Sequence, residues 1–180
     1  PAAAPGPAPA PASEQRAFDD ELKQAAAICN RGRAAVMSMF NEARMGRTID
    51  HQGCVALVDD ITASVRRNPG ALISLARLKA QDDYSFMHSV AVCALMVALA
   101  RQLGLDEDAC RAAGLAGLLH DVGKALMPLE VLNKPGRLTD AEYTLMRTHA
   151  VRGHELLLQG AEASPEALEV ALHHHEHFDG

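Results

Sequence analysis

The residues best suited to chemistry in this 180-residue chain are its histidines. His88, His120 with Asp121 beside it, His149, and the run His173, His174 and His175 all fall in or beside apolar, helix-patterned sequence. One histidine on such a face is ordinarily a core residue with its ring nitrogens satisfied. Four such positions on four packable helices are different, because imidazoles and a carboxylate projecting into one bundle are how helical proteins bind transition metals. On a regular helix the adjacent side chains of His120 and Asp121 diverge by about 100°. The pair is therefore expected to serve two neighbouring ions, with the aspartate able to bridge them. Two ions roughly 3.5–4 Å apart activate a water and stabilise the leaving oxygen in phosphoester cleavage. Lys124 follows within one turn and could reach a phosphate held there; the plainer alternative is a surface ion pair with Asp121, worth little. Arg152, one turn beyond His149, could add positive charge. Two divalent ions among mostly neutral imidazoles leave the centre positive and suited to an anionic substrate. The terminal run "LHHHEHFDG" has its own plain alternatives, a purification tag or a solvated tail.

These residues need helices to position them, and the sequence reads as all-α. Phe18, Leu22, Ala25, Cys29, Gly32, Val36, Met39 and Ala43 recur in alternating steps of four and three, a heptad stripe that stops at "ARMGRT". A second stripe, Cys54, Val58, Ile61 and Val65, begins after Asp50, so the two form a helical hairpin. The stripes either pack on each other and on the domain behind them, or form a signalling arm that dimerises. "NPG" at 68–70 opens a short helix through Lys79, and a fourth helix runs from about Asp83 to Leu103, apolar on every face in its middle. Asp106 caps a fifth helix ended by Gly123. The capping box Thr139–Glu142 opens a sixth through about Leu158, and Ser164 with Pro165 opens a seventh that carries the terminal histidines. Nothing reads as a strand.

Composition narrows the class. Apolar residues at 48% and charged ones at 22% support a packed core over most of the length. The exception is the Pro/Ala-rich start, residues 1–13, expected to be a linker. A net charge of −6 argues against a nucleic-acid polymer as partner. Cys29, Cys54, Cys93 and Cys110 lack CxxC spacing and read as buried, reduced thiols in a cytoplasmic protein. The uncharged apolar stretch Ser89 to Ala100 is too short for a membrane span.

The stretches "YSFMHSV", "LLHDVGKALMPLEVLNKPGRLTDAEY", "MRTHAVRGHELL" and "LHHHEHFDG" together closely resemble the HD-GYP branch of the HD phosphohydrolase superfamily. The match covers about residues 80–180, and residues 14–79 resemble the helical connector between such domains and an N-terminal regulatory domain. The resemblance implies an all-α, HD-type multi-helix bundle preceded by a helical hairpin arm. It further implies a metal-dependent phosphodiesterase that hydrolyses cyclic di-GMP to pGpG and onward to GMP, with iron or manganese as the usual ions. Carried over by residue, it makes His88, His120, Asp121, His149, His174 and His175 metal ligands, with Asp121 bridging. His173 and His177 fall outside the ligand set. Lys124 matches the lysine that assists at the substrate phosphate, and Arg152 is a second candidate contact. Members with three metals carry a glutamate four residues before the first histidine; Tyr84 stands there, so two ions are expected.

The resemblance further implies a GGDEF-domain protein as partner, and the heptad stripe allows a homodimer through the N-terminal helices. A non-catalytic nucleotide- or cyclase-binding module, or another HD nucleotide phosphohydrolase, is the alternative. Gly180 stands just before the place of the family's GYP tripeptide and of a downstream aspartate that completes its metal site. Without them, metal affinity and turnover are expected to be poor.

Overall fold

The computed structural model describes residues 12–77, 84–160 and 163–177. Among these residues helices are the regular structure, joined by turns and loops, with no strand. The elements are α1 (Ala12–Arg44), α2 (His51–Arg67), α3 (Pro69–Arg77), α4 (Tyr84–Gln102), α5 (Glu107–Leu119), a 3₁₀ turn (Val122–Leu126), α6 (Leu129–Leu132), α7 (Asp140–Arg147), α8 (His149–Leu158) and α9 (Pro165–His173). Of the expected linker, residues 1–11 lie outside the described residues, as do Lys79 and Asp83, the expected boundaries of the third and fourth helices.

Most helix starts follow from side-chain oxygens that accept orphan backbone N–H groups. Asp50 accepts from Gly53 at 3.0 Å, Asp106 from Ala109 at 2.8 Å and Ser164 from Ala167 at 3.2 Å. Thr139 and Glu142 form a complete capping box. Gly46 takes the left-handed conformation after α1, with φ 66°.

Two boundaries differ from the periodic pattern. The helix expected to run from Thr139 to Leu158 breaks at Thr148, whose hydroxyl donates to the Leu145 carbonyl at 2.7 Å and so competes with the helical ladder. The fifth helix ends at Leu119, not at Gly123, because Asp121 leaves the helical region with φ −101° and ψ 10°. Both breaks fall beside histidines.

The apolar helix α4 lies at the centre and packs against α1, α2, α3 and α5. Val90, Cys93, Ala94 and Val97 of α4 are fully buried against Leu115, Leu118 and Leu119 of α5. A Cβ on Gly117 would come within 3.2 Å of the Cys93 backbone, so the glycine sets how closely α5 lies on α4. Phe40 of α1 meets Phe86 of α4 edge to face at 5.4 Å, a pair worth about 0.5–1.5 kcal/mol beyond its area.

The stripe on α1 is buried within the chain, through Ala25, Ile28, Cys29, Val36, Met39, Phe40 and Ala43. Its first member does not follow: Phe18 is exposed and Glu21 is buried nearby, while Leu22 packs half-buried against the core. The Glu21 carboxylate accepts from Ser64 Oγ at 2.8 Å and from Arg67 Nε at 2.6 Å, tying α1 to α2. All four cysteines are buried and unpaired, and burial pushes the Cys54 thiol up to about 12, with Asp50 and Glu42 adding to it. No helix among the described residues is long and apolar enough to cross a membrane.

Candidate metal centre

Four helices converge on Asp121. His88 comes from the first half of α4, His120 caps the C-terminus of α5, His149 is the first residue of α8, and His174 caps α9 with His175 following it. The early end of α5 is what lets neighbours converge. Had the helix continued, His120 and Asp121 would point about 100° apart. The turn at Asp121 brings His120 Nε2 to 3.1 Å from Asp121 Oδ2, so the pair faces the same space. His120 and Asp121 therefore share one potential ligand group with His88, and Asp121 belongs to a second group as well.

The 3₁₀ turn after Asp121 is locked to α8 by two glycines. A Cβ on Gly123 would overlap the His149 carbonyl oxygen and lie 2.6 Å from the Gly153 nitrogen. Backbone thus rests on backbone, and the Asp121 turn is held in register with His149. Composition and periodicity alone gave no signal for this contact; the glycine in "HAVRGHE", one turn after a histidine, could have suggested it.

Asp121 is 3% exposed and its two oxygens face different groups. Oδ2 lies 3.1 Å from His120 Nε2, 3.7 Å from His88 Nε2 and 2.6 Å from Lys124 Nζ. Oδ1 lies 3.3 Å from His149 Nε2 and 3.5 Å from His174 Nε2. His175 joins through His149, with the two Nε2 atoms 3.2 Å apart. Two potential ligand groups result, His88–His120–Asp121 and Asp121–His149–His174–His175, sharing the carboxylate.

The donor set fits cations. Backbone carbonyls can only accept, so the contacts of Nδ1 with Gly117 O in His120 (2.8 Å), Met146 O in His149 (2.6 Å) and Val170 O in His174 (3.1 Å) keep the ring proton on Nδ1. Each Nε2 then turns a lone pair inward, toward other lone pairs and an anion. Such acceptors repel one another unless a proton or metal sits between them, and Asp121 Oδ1 is buried without a hydrogen-bond partner. With protonated rings, burial pushes the Asp121 carboxyl up, but hydrogen bonds from His120, His149 and His174 outweigh it and hold the carboxyl well below its ordinary range. Burial is the leading cause that lowers the His175 pKa, which keeps a lone pair available at neutral pH.

A family model for the HD domain matches residues 64–180. The chain belongs to the HD-domain family. It is 54% identical over 175 residues to a cyclic di-GMP phosphodiesterase of Pseudomonas aeruginosa, a match covering 97% of this chain and 41% of that protein. A 3'3'-cGAMP-specific phosphodiesterase of Vibrio cholerae is 36% identical over 110 residues, 61% of this chain and 25% of its own length. The cyclic di-GMP phosphodiesterase response regulator of Xanthomonas campestris is 45% identical over 84 residues, 46% of this chain and 22% of its own length. The chain therefore spans less than half the length of these relatives, whose names agree with the resemblance to HD-GYP domains. No solved structure matches the chain.

In this HD domain the histidine–aspartate cluster floors an open cleft of about 380 Å³, walled on its apolar sides by Val92 and Met96 of α4 and Val170 of α9. These apolar wall residues carry no sequence signal that separates them from core. Lys124 lines the cleft and donates to Asp121, which is buried, so the surface ion pair considered from sequence does not describe it. Arg152 is not brought into the cleft; its guanidinium donates to the Leu126 carbonyl at 3.4 Å. His173 points away, paired with Glu176 at 2.6 Å, which raises its pKa, and His177 is exposed.

Proposed function

We propose that this HD domain is the metal-binding part of a phosphodiesterase that hydrolyses cyclic di-GMP to pGpG and GMP. The observation that carries the reading is the shared carboxylate: one buried aspartate with imidazoles on both of its oxygens. Two divalent ions bound there, iron or manganese by the nitrogen and oxygen donor set, would supply an activated water and offset phosphate charge.

The chain's own residues have distinct tasks in this reading. Asp121 holds both ligand groups at a fixed separation, with His88 and His120 on one side and His149, His174 and His175 on the other. Lys124 releases Asp121 Oδ2 to a cation and donates to a non-bridging phosphate oxygen. Arg152 is a second phosphate contact once its guanidinium leaves the Leu126 carbonyl. Val92, Met96 and Val170 exclude water beside the reacting phosphate. Water adds to phosphorus, the bond to the 3′-oxygen breaks, and that oxygen leaves with a proton.

The same reading carries a cytoplasmic location, which four buried, unpaired cysteines support. It also carries a GGDEF-domain partner and pairing through the N-terminal helices, which must use the outer face of α1 because its apolar stripe packs inside the chain.

The test is metal analysis of full-length protein purified without oxygen, with hydrolysis assays on cyclic di-GMP and 3'3'-cGAMP. Two bound ions and cyclic di-GMP turnover that disappears in His120→Ala and Asp121→Ala are expected. Undiminished turnover in both variants would sink the catalytic assignment. Faster turnover of 3'3'-cGAMP would move the substrate within the cyclic dinucleotides.

A further inference from the structure

The end of the 3₁₀ turn that bears Lys124 is held from outside the site. A helical turn leaves its last carbonyls without partners inside the turn. Here the Ala125 carbonyl accepts from Arg44 Nε at 2.8 Å, and the next carbonyl, that of Leu126, accepts from Arg152 at 3.4 Å. Two guanidiniums from different helices thus hold consecutive carbonyls immediately after Lys124. A cation at a helical C-terminus is also favoured by the local dipole.

Arg44 stands apart from the ligand cluster. It belongs to the last turn of α1, the 33-residue helix that enters from the N-terminal side, and its bond to Ala125 spans 81 positions of sequence. Its side chain lines a separate cleft with Ala125, Leu126, Met127 and Pro128, and does not line the cleft that holds His88, His120 and Asp121. The residue is exposed, and it does not belong to the hydrophobic core. What it does fix is the backbone one position from Lys124. Lys124 is in turn held by its own N–H on the Asp121 carbonyl at 2.9 Å, and its ammonium reaches Asp121 Oδ2 at 2.6 Å. A shift of α1 along its axis or about it moves the Arg44 anchor, and the turn carrying Lys124 follows.

We propose that Arg44 is a positioning residue for Lys124, and that through it helix α1 sets the activity of the site. The proposal rests on the phosphodiesterase reading above. It predicts that Arg44 matters for phosphate and turnover but not for metal, because no ligand atom touches it.

Full-length protein and its Arg44→Ala and Arg44→Lys variants separate these effects. Calorimetric titration with Mn²⁺ should give the same affinity in all three. Binding of inorganic phosphate to the Mn²⁺-loaded protein should weaken in Arg44→Ala, and kcat for cyclic di-GMP should fall ~10-fold with KM changed far less, as a small misplacement of a reacting group does. Arg44→Lys, which keeps a donor within reach of the carbonyl, should recover part of both losses. In metal-free protein, amide NMR shifts of Ala125 and Leu126 should move in Arg44→Ala. Unchanged kcat and phosphate affinity in Arg44→Ala would overturn the proposal. So would parallel loss of Mn²⁺ affinity and thermal stability, which marks a purely structural tie. Asp121→Ala serves as the control: if it retains turnover, the failure lies in the site reading and not in Arg44.

Discussion

Two carboxylates are buried in this molecule among the described residues, and they are treated in opposite ways. Glu21, in the helical hairpin, has both oxygens met by donors: Ser64 Oγ and Arg67 Nη2 on one, Arg67 Nε on the other. Asp121, in the bundle, has one oxygen with no partner and a ring of imidazole nitrogens whose protons are committed elsewhere. The first is a closed structural joint. The second is stable as an anion only with cations around it. A buried carboxylate is thus informative through its unmet valence, more than through its burial.

The largest break in that contrast comes from Asp121→Asn. It removes the shared charge while keeping the shape. Bound metal should fall from two ions toward none, and hydrolysis should drop by at least ~1000-fold, as expected when a group common to both ions is lost. The metal-free variant should melt lower than metal-free parent, because Lys124 loses its buried carboxylate partner. Calorimetry with and without chelator checks both statements. Excess Mn²⁺ should raise the melting temperature of the parent and leave the variant unmoved.

Gly123→Ala comes next. Its Cβ meets backbone on α8 that cannot rotate away, so about 1–3 kcal/mol of stability should be lost along with metal affinity. Denaturant unfolding and metal titration measure it.

Glu21→Gln should act only on stability. Losing the charge weakens the contact with Arg67, which is partly exposed, so the screened loss is about 1 kcal/mol or less, with metal affinity intact. The effect depends on pH in a defined direction. Hydrogen bonding from Arg67 outweighs burial and, with Ser64, holds the Glu21 carboxyl below its ordinary value of 4.5. A folded-state pKa below the unfolded one gives stability that is full above about 4.5 and drains as pH falls through the folded value. The gap between parent and variant, measured by denaturant unfolding, should therefore be constant from pH 6 to 8 and shrink on acidification below 4.5.

The smallest effects belong to His173→Ala and His177→Ala. Both side chains are exposed, and His173 is paired with Glu176 on the outer face. Metal content and kcat should stay within about twofold of the parent, in line with changes at exposed positions away from a site. A tenfold loss in either would redraw the ligand set.

Much of the fold could be read in the sequence because its signals are local. Asp50, Asp106, Thr139 with Glu142, and Ser164 cap helices through atoms three residues away, and the apolar surround of α4 needs only counting. The stripe on α1 was legible from Ala25 onward and wrong at Phe18, because whether Glu21 turns inward depends on Arg67 and Ser64, 46 and 43 positions away. The end of α5 at Leu119 was equally hidden. Nothing in "LLHDVGK" announces that the turn tightens before Gly123; the space for it exists because Gly153 lies opposite.

Local pattern is enough to set the helical class, the positions of most helix starts, and a set of histidines with one aspartate spaced for chemistry. Packing sets which oxygen of Asp121 faces which imidazoles, which ring nitrogens point inward, and that Arg44 reaches the turn bearing Lys124. The difference is one of range. Periodicity and capping are set within one or two turns of backbone, whereas a ligand set is made by side chains that meet only after four helices have packed.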